Sequence, residues 1–334
     1  MKLERDRAER VAAAAFRAHG VSTTDAELTA GVLVCADARG KGSHGLARLP
    51  RFVRGVEHGN VDPGGQIRVV EDAGAAAVLD GGARLGPVVA TEAMAEATVR
   101  ATEYGVGAVG TRNGNHLGML GYYTDRARRE GFVAVGMTNT EPAMPPHGGV
   151  EPVLGTNPVA VGVPTDPAFN LDMSTSAISR GQVDAHRRAG ERLPEGVALG
   201  PDGRPTTDPV AALDGVLLPF GGAKGSGLAI AVEVLAGGLV GAAMGTDVTG
   251  TFHTEEPCTK GDLFLAFDPT ALGGEGLLER ASAFLRELQA VEPAAGVEGV
   301  RLPGERSIAA AESAETVEIE DAVWDDVLSL AGED

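Results

Sequence analysis

Apolar residues recur at helical spacing through the first 60 positions. Residues 3–18 form an amphipathic stretch that closes at Gly20, a favoured helix-ending residue. Thr24 and Glu27 have the spacing of a capping box and predict a second helix running to about Ala38. A glycine-rich loop over 40–45 leads into a third helix carrying Leu46, Leu49, Phe52, Val53 and Val56, and Pro63-Gly64-Gly65 marks a boundary. Beyond it the pattern changes to short apolar runs with helices between them. Strands are predicted over 67–70, 75–79, 106–110, 132–138, 159–163, 169–173 and 263–267, and helices over 88–104, 120–130, 225–240 and 277–290. Helix resumes after Pro303-Gly304, where the nine acids and absence of Lys or Arg over 312–334 read as a solvated helix face. This is a mixed α/β chain.

Composition removes whole function classes. The 334 residues carry 28 Lys and Arg against 47 Asp and Glu, a net charge of −19. That excludes the basic footprint needed for sequence-independent nucleic-acid binding or a polybasic membrane patch. Cys35 and Cys258 alone provide neither a disulfide framework nor a metal knuckle, so a reducing, cytoplasmic setting is expected. Residues 12–15 are too short and weakly apolar for a signal-peptide core. The stretch 225–245 has the length of a membrane span, but Glu233 at its middle and six glycines argue for a helix buried in a protein core.

Gly105, Gly107 and Gly110 match the dinucleotide fingerprint GxGxxG. Its mechanism needs a strand before the turn and a helix after it. Here the order is reversed, so Gly105 reads as a helix C-cap and the other two as close-packing positions.

Four segments could carry chemistry. In Arg39-Gly-Lys-Gly-Ser43-His44-Gly45-Leu-Ala-Arg48, Arg48 lies one helical turn past His44 and suits bidentate recognition of a carboxylate. Ser43 reads equally as a cap of the next helix. The loop Thr111-Arg-Asn113-Gly-Asn115-His116-Leu-Gly118 follows a strand and offers an imidazole able to titrate near neutrality. Polar turns at strand ends, including Asn139 and Asp172-Met173-Ser174, could bond ribose and phosphate, although ordinary turn chemistry explains each one singly. Lys224, one of only four lysines (with Lys2, Lys41 and Lys260), opens the long apolar helix as an anion contact. The remaining histidines, His19, His58, His147, His186 and His253, lack metal-ligand spacing, so no catalytic metal is expected.

Together these segments resemble the malate/L-lactate dehydrogenase type 2 family. Arg39 to Pro50, Asn115-His116-Leu-Gly, Gly155-Thr-Asn-Pro, Asp172-Met-Ser-Thr-Ser, Gly222-Ala-Lys-Gly and Leu302-Pro-Gly-Glu-Arg306 occur in the family's order across nearly the whole chain. The resemblance implies a non-Rossmann NAD(P)-binding fold. Residues 1–65 and the returning helices of 303–334 would form one domain, and 66–302 an α/β domain that binds NAD or NADP. It also implies a homodimer. His44 and His116 become acid–base candidates and Ser43 and Arg48 substrate contacts. Asn139, Asp172, Met173, Ser174, Lys224, Gly304 and Glu305 become cofactor contacts. Two positions depart from the pattern and bear on cofactor and substrate preference: Gln182, commonly Lys, and Lys41-Gly42, often His-Asp. The reading is a hydride-transferring oxidoreductase of small 2-hydroxy and 2-oxo acids of the malate, lactate or sulfolactate type. The alternatives are a reductase of cyclic imino acids and a catalytically silent binding protein.

Overall fold

The computed structural model describes residues 1–273 and 276–333. The chain begins with β1 (Lys2–Glu4), α1 (Arg5–Ala18) and α2 (Thr23–Ala38), followed by two 3-10 turns (Gly42–His44 and Leu46–Arg48) and α3 (Leu49–Glu57). Next come β2 (Arg68–Ala73), β3 (Ala76–Asp80), α4 (Gly86–Tyr104), β4 (Val106–Arg112), α5 (Gly121–Arg129), β5 (Val133–Thr138), β6 (Val159–Val163) and β7 (Phe169–Met173). An excursion holds α6 (Arg180–Ala189), β8 (Ala198–Leu199), α7 (Pro209–Asp214) and β9 (Val216–Leu217). It is followed by α8 (Ala223–Val232), a π-helical turn Glu233–Gly238 and β10 (Asp262–Phe267). The chain closes with α9 (Pro269–Gly273), α10 (Leu277–Gln289), α11 (Glu305–Ser313), β11 (Thr316–Glu318) and α12 (Asp321–Ala331).

Seven strands form one sheet in the order β2-β3-β4-β10-β5-β6-β7. Only β3 and β4 run parallel; every other neighbouring pair is antiparallel. The period-2 pattern of β10 explains how the sheet is covered on both faces. Phe264 and Ala266 pack with Ala93, Met94 and Ala97 of α4 and Tyr123 of α5. Leu263 and Leu265 point the other way, towards Val232 and Ala236. The fingerprint glycines serve this packing. Gly105 is the left-handed C-cap of α4. A side chain at Gly107 would meet the Ala97 carbonyl at 2.0 Å, and one at Gly110 would meet Val240 at 2.4 Å. A second core joins the two ends of the chain. Phe16, Leu33 and Phe52 from α1, α2 and α3 bury Trp324 and Val327 of α12.

Three local expectations change. The cap of α2 is Ser22, whose hydroxyl accepts the Asp25 N–H at 3.2 Å, so the Thr24–Glu27 pair lies inside the helix rather than at its start. The third helix begins at Leu49, because residues 42–48 fold as tight 3-10 turns first. The apolar stretch 225–240 is only half buried: Ile230, Val234, Leu235 and Leu239 are exposed. Its buried charge is nevertheless accommodated. The Glu233 carboxylate accepts from Asn139 Nδ2 at 2.8 Å, Asn157 Nδ2 at 2.6 Å and the Gly245 N–H at 2.9 Å.

Glu233→Ala removes the acceptor of three donors. At about 1–3 kcal/mol per buried group left unpaired, urea unfolding should show a loss of at least about 3 kcal/mol. A loss within about 0.5 kcal/mol, the range of an ordinary surface change, would contradict this role for the carboxylate.

Candidate active site

The strand ends converge on a cavity of about 540 Å³. Because β10 lies antiparallel between β4 and β5, its first residue, Asp262, pairs with Thr111 on one side and Thr138 on the other. The end of β4 therefore delivers the His116 loop, the end of β5 delivers Thr138 and Thr140, and the end of β7 delivers Asp172, Met173 and Ser174. Residues 40–48 supply the opposite wall with Lys41, Ser43, His44 and Arg48.

The His116 loop is tightly held. Asn115 donates through Nδ2 to the carbonyls of Asn60, Ala83 and Arg84 at 3.3, 2.8 and 3.0 Å. The first residue of α4, Gly86, lies against the same loop, and a side chain there would meet the Asn115 and His116 carbonyls at 2.2 Å. The Gly118 N–H donates to His116 Nδ1 at 3.1 Å. An Nδ1 that accepts cannot carry a proton, so neutral His116 is the Nε2–H tautomer. Burial holds its pKa well below the usual imidazole value, reinforced by Arg51, Arg48, His44 and Lys260. The rings of His44 and His116 have centroids 6.1 Å apart, and Phe52 meets His116 edge-on at 6.0 Å.

His44 Nδ1 and Ser43 Oγ lie 3.0 Å apart, and Arg48 Nε donates to the Ser43 carbonyl at 2.7 Å. Burial pushes the His44 pKa down to about 4, helped by Arg48 and Lys41 and opposed by Asp172. Lys41 bridges the walls, bonding the Asp172 carboxylate at 2.8 Å and its carbonyl at 3.1 Å. Four cations, Lys41, Arg48, Arg180 and Lys260, thus line the cavity against one carboxylate, Asp172. Among the described residues, Arg48 and Arg180 have no ion-pair partner; the Arg180 guanidinium rests over Phe252 at 5.5 Å.

Ser43, His44, Arg48, His116, Asp172, Met173 and Ser174 therefore share one cavity. Asn139, Lys224, Gly304 and Glu305 do not line it. Asn139 is fully buried, bonded to Glu233 and the Ala243 carbonyl. Lys224 is exposed on the first turn of α8. A side chain at Gly304 would strike the Asn170 carbonyl of β7 at 2.5 Å. The Glu305 carboxylate accepts from Gln289 Nε2 and the Leu302 N–H at 2.9 and 3.0 Å.

The chain matches the malate/L-lactate dehydrogenase family profile over residues 3–328. It belongs to the malate/L-lactate dehydrogenase family. Within that family it is 46% identical over 288 residues to L-sulfolactate dehydrogenase of Methanocaldococcus jannaschii, covering 86% of this chain and 83% of the relative. It is 40% identical over 329 residues to (2R)-3-sulfolactate dehydrogenase (NADP(+)) of Chromohalobacter salexigens, covering 97% and 96%. The solved structure of sulfolactate dehydrogenase from M. jannaschii superposes with a TM-score of 0.94 at 40% identity, covering 100% of this chain and 97% of that one.

In this family member, the cavity also holds side chains that motif reading overlooked. Phe252 lies in a segment without a strong pattern, and Arg180 stands two residues before Gln182, where only the departure from the family pattern drew notice. Lys260 carried the signal used for Lys224, the scarcity of lysine, but sits before a strand rather than a helix. It is 2% exposed and donates to Asp262 Oδ1 at 2.5 Å, while Asp262 Oδ2 accepts the Thr111 hydroxyl at 2.7 Å. Breaking such a buried pair typically costs about 3–5 kcal/mol, whereas replacing both charges with apolar groups is often neutral. Lys260→Met should therefore destabilise the protein far more than Lys260→Met/Asp262→Leu in urea unfolding. Equal losses would contradict the pairing.

Proposed function

We propose that this protein is an NAD(P)-dependent oxidoreductase that interconverts small 2-hydroxy and 2-oxo acids of the malate, lactate or sulfolactate type. The observation that carries this reading is the meeting of Arg48, His44 and His116 in one cation-rich cavity of a strongly acidic chain. The lining suits a nicotinamide dinucleotide. Lys41 and Arg180 can face its phosphates, and hydroxyls of Thr138, Thr140, Thr156 and Ser174 can face its ribose groups, with Asp172 and Met173 beside them. When bound, the nicotinamide takes or supplies the hydride at the substrate's C2.

The chain's own residues do the rest. Arg48, whose terminal N–H groups have no hydrogen-bond partner among the described residues, holds the carboxylate next to C2. His116, kept neutral with its proton on Nε2, donates a hydrogen bond to the C2 oxygen and stabilises negative charge developing there. His44 donates from Nδ1 to Ser43 Oγ, which leaves Nε2 free to take the hydroxyl proton during oxidation. In reduction, protonated His44 returns that proton. The two rings lie 6.1 Å apart and 30° from parallel, so the shared oxygen belongs beside their edges, where ring nitrogens bond, rather than between their faces.

The remaining architecture follows the same reading. Residues 1–65 and 303–334 form a helical unit, supported by the shared core of Phe16, Leu33, Phe52 and Trp324. Residues 66–302 form the NAD(P)-binding unit, whose largely antiparallel sheet differs from a parallel Rossmann sheet. Asn139, Gly304 and Glu305 shape the cofactor wall from behind. A homodimer is supported by the exposed apolar face of Ile230, Val234, Leu235, Leu239 and Met244. The buried free thiols Cys35 and Cys258 suit a reducing cytoplasm, and no described helix is long and apolar enough to cross a membrane.

The test is turnover of oxaloacetate, sulfopyruvate, pyruvate and a cyclic imino acid with NADH and NADPH, followed across pH. With the His44 pKa near 4, only about one His44 in a thousand is protonated at pH 7. The kcat/KM for oxo-acid reduction should fall tenfold per unit from pH 5 to 8, while that for oxidation stays flat. His44→Gln should remove the slope and cost about 10²–10⁴-fold. His116→Gln should keep the slope and cost about 10²–10³-fold. Reversed behaviour of the two variants would overturn the assignment. Turnover of the imine alone would overturn the substrate class.

A further inference from the structure

We infer that Asp37, which touches neither the cavity nor its ligands, is a positioning residue for the reaction: the loop carrying Ser43, His44 and Arg48 is wrapped around its carboxyl group. This rests on the function proposed above.

Asp37 lies in the last turn of α2, and its Oδ2 accepts the Leu46 N–H at 2.8 Å. A side chain built on Gly45 would meet Oδ1, Cγ and Oδ2 at 2.0, 2.2 and 2.4 Å, and one on Gly42 would meet Oδ1 at 3.5 Å. The carboxyl therefore fills the inside of the loop from Gly42 to Leu46. The backbone closes round it: Gly40 N–H donates to the Asp37 carbonyl at 2.9 Å, Lys41 N–H to Ala36 at 2.8 Å, and Arg48 N–H to Gly45 at 2.9 Å. Between these anchors, Ser43 and His44 project into the cavity, and Arg48 follows one turn later.

The carboxyl is not retained for an ion pair. The cations near it in the chain are engaged elsewhere: Arg39 with Asp125, Lys41 with Asp172, and Arg48 with the Ser43 carbonyl. Burial pushes its pKa up to about 7, opposed only by the Leu46 N–H. A buried carboxyl without a counter-ion costs stability when ionised. What it offers is shape, together with one acceptor that fixes Leu46 and thereby the direction in which the following turn presents Arg48.

A double-mutant cycle between Asp37 and Gly45 tests this. Gly45 has a negative φ of −90°, and the cycle compares Gly45→Ala with and without the carboxyl, so any cost common to both backgrounds cancels and the collision is what remains. Asp37→Asn keeps an acceptor and the shape, and should stay within threefold of wild-type kcat/KM for the oxo acid. Asp37→Ala should lose at least 30-fold, through a raised KM (Arg48) and a lowered kcat (His44), with the NADH dissociation constant changed less than threefold. Gly45→Ala should cost at least tenfold more in the wild-type background than in Asp37→Ala, where its methyl enters vacated space. Amide exchange over residues 42–48 should accelerate at least tenfold in Asp37→Ala. This readout is independent of turnover, and Asp37→Ser serves if the alanine variant does not fold. Wild-type kinetics and exchange in Asp37→Ala, or an equal cost of Gly45→Ala in both backgrounds, would overturn the inference. Absence of turnover by the wild-type protein on every oxo acid would instead overturn the function, while the exchange measurement still decides the role of Asp37.

Discussion

A single backbone hydrogen bond, from the Gly118 N–H to His116 Nδ1, governs how this cavity can work. It leaves the proton of the neutral imidazole on Nε2, the nitrogen that would meet the reacting oxygen in the proposed mechanism, and it makes the doubly protonated ring costly. The surrounding charges act in the same direction, since Arg51, Arg48 and Lys260 all disfavour an imidazolium at His116. A histidine held neutral is a poor proton shuttle but a good fixed donor. In the proposed mechanism the proton therefore moves through His44, whose Nδ1 faces a rotatable serine hydroxyl able to accept from it, rather than a rigid amide that can only donate.

That bond is only as firm as the loop that makes it. Asn115 stitches the loop to three carbonyls, and α4 approaches so closely that its first residue must lack a side chain. On the facing wall, the Lys41–Asp172 pair ties the Ser43–Arg48 loop to the end of β7. Charge completes the arrangement. A chain with a net charge of −19 repels anions at long range, yet inside the cleft Lys41 and Lys260 are matched by Asp172 and Asp262 while Arg48 and Arg180 have no ion-pair partner among the described residues. A low-dielectric cleft focuses such a field on a small anionic substrate.

Long periodic segments were legible in the sequence. The helices around Val88–Tyr104 and Leu277–Ala290 and all seven sheet strands lie within a few residues of their observed bounds; apolar spacing reports burial in β3 to β7 and β10, whereas β2 is exposed along its whole length. The excursion from Arg180 to Leu217 was not, although Ser179 and Gln182 form a capping box at the start of α6: α7 has only six residues and β8 and β9 two each, too short for a periodic pattern. The half-exposure of the stretch from Gly225 to Val240 was also hidden, because hydropathy does not distinguish a face buried in a core from one left on the surface. For the cavity, motif reading located the walls supplied by Ser43, His44, Arg48, His116 and Asp172. It passed over Lys260 and Asp37, whose neighbours are set by strand register and loop closure rather than by spacing along the chain.

The tautomer of His116 is therefore the most direct point of test. Long-range ¹H–¹⁵N correlation spectra of the histidine-labelled protein, assigned through His116→Gln, report the protonation of each ring nitrogen. The account predicts a pyridine-type Nδ1 and a pyrrole-type Nε2 for His116, unchanged between pH 5.5 and 8.5. A protonated Nδ1, or a ring that becomes doubly protonated within that range, would contradict it.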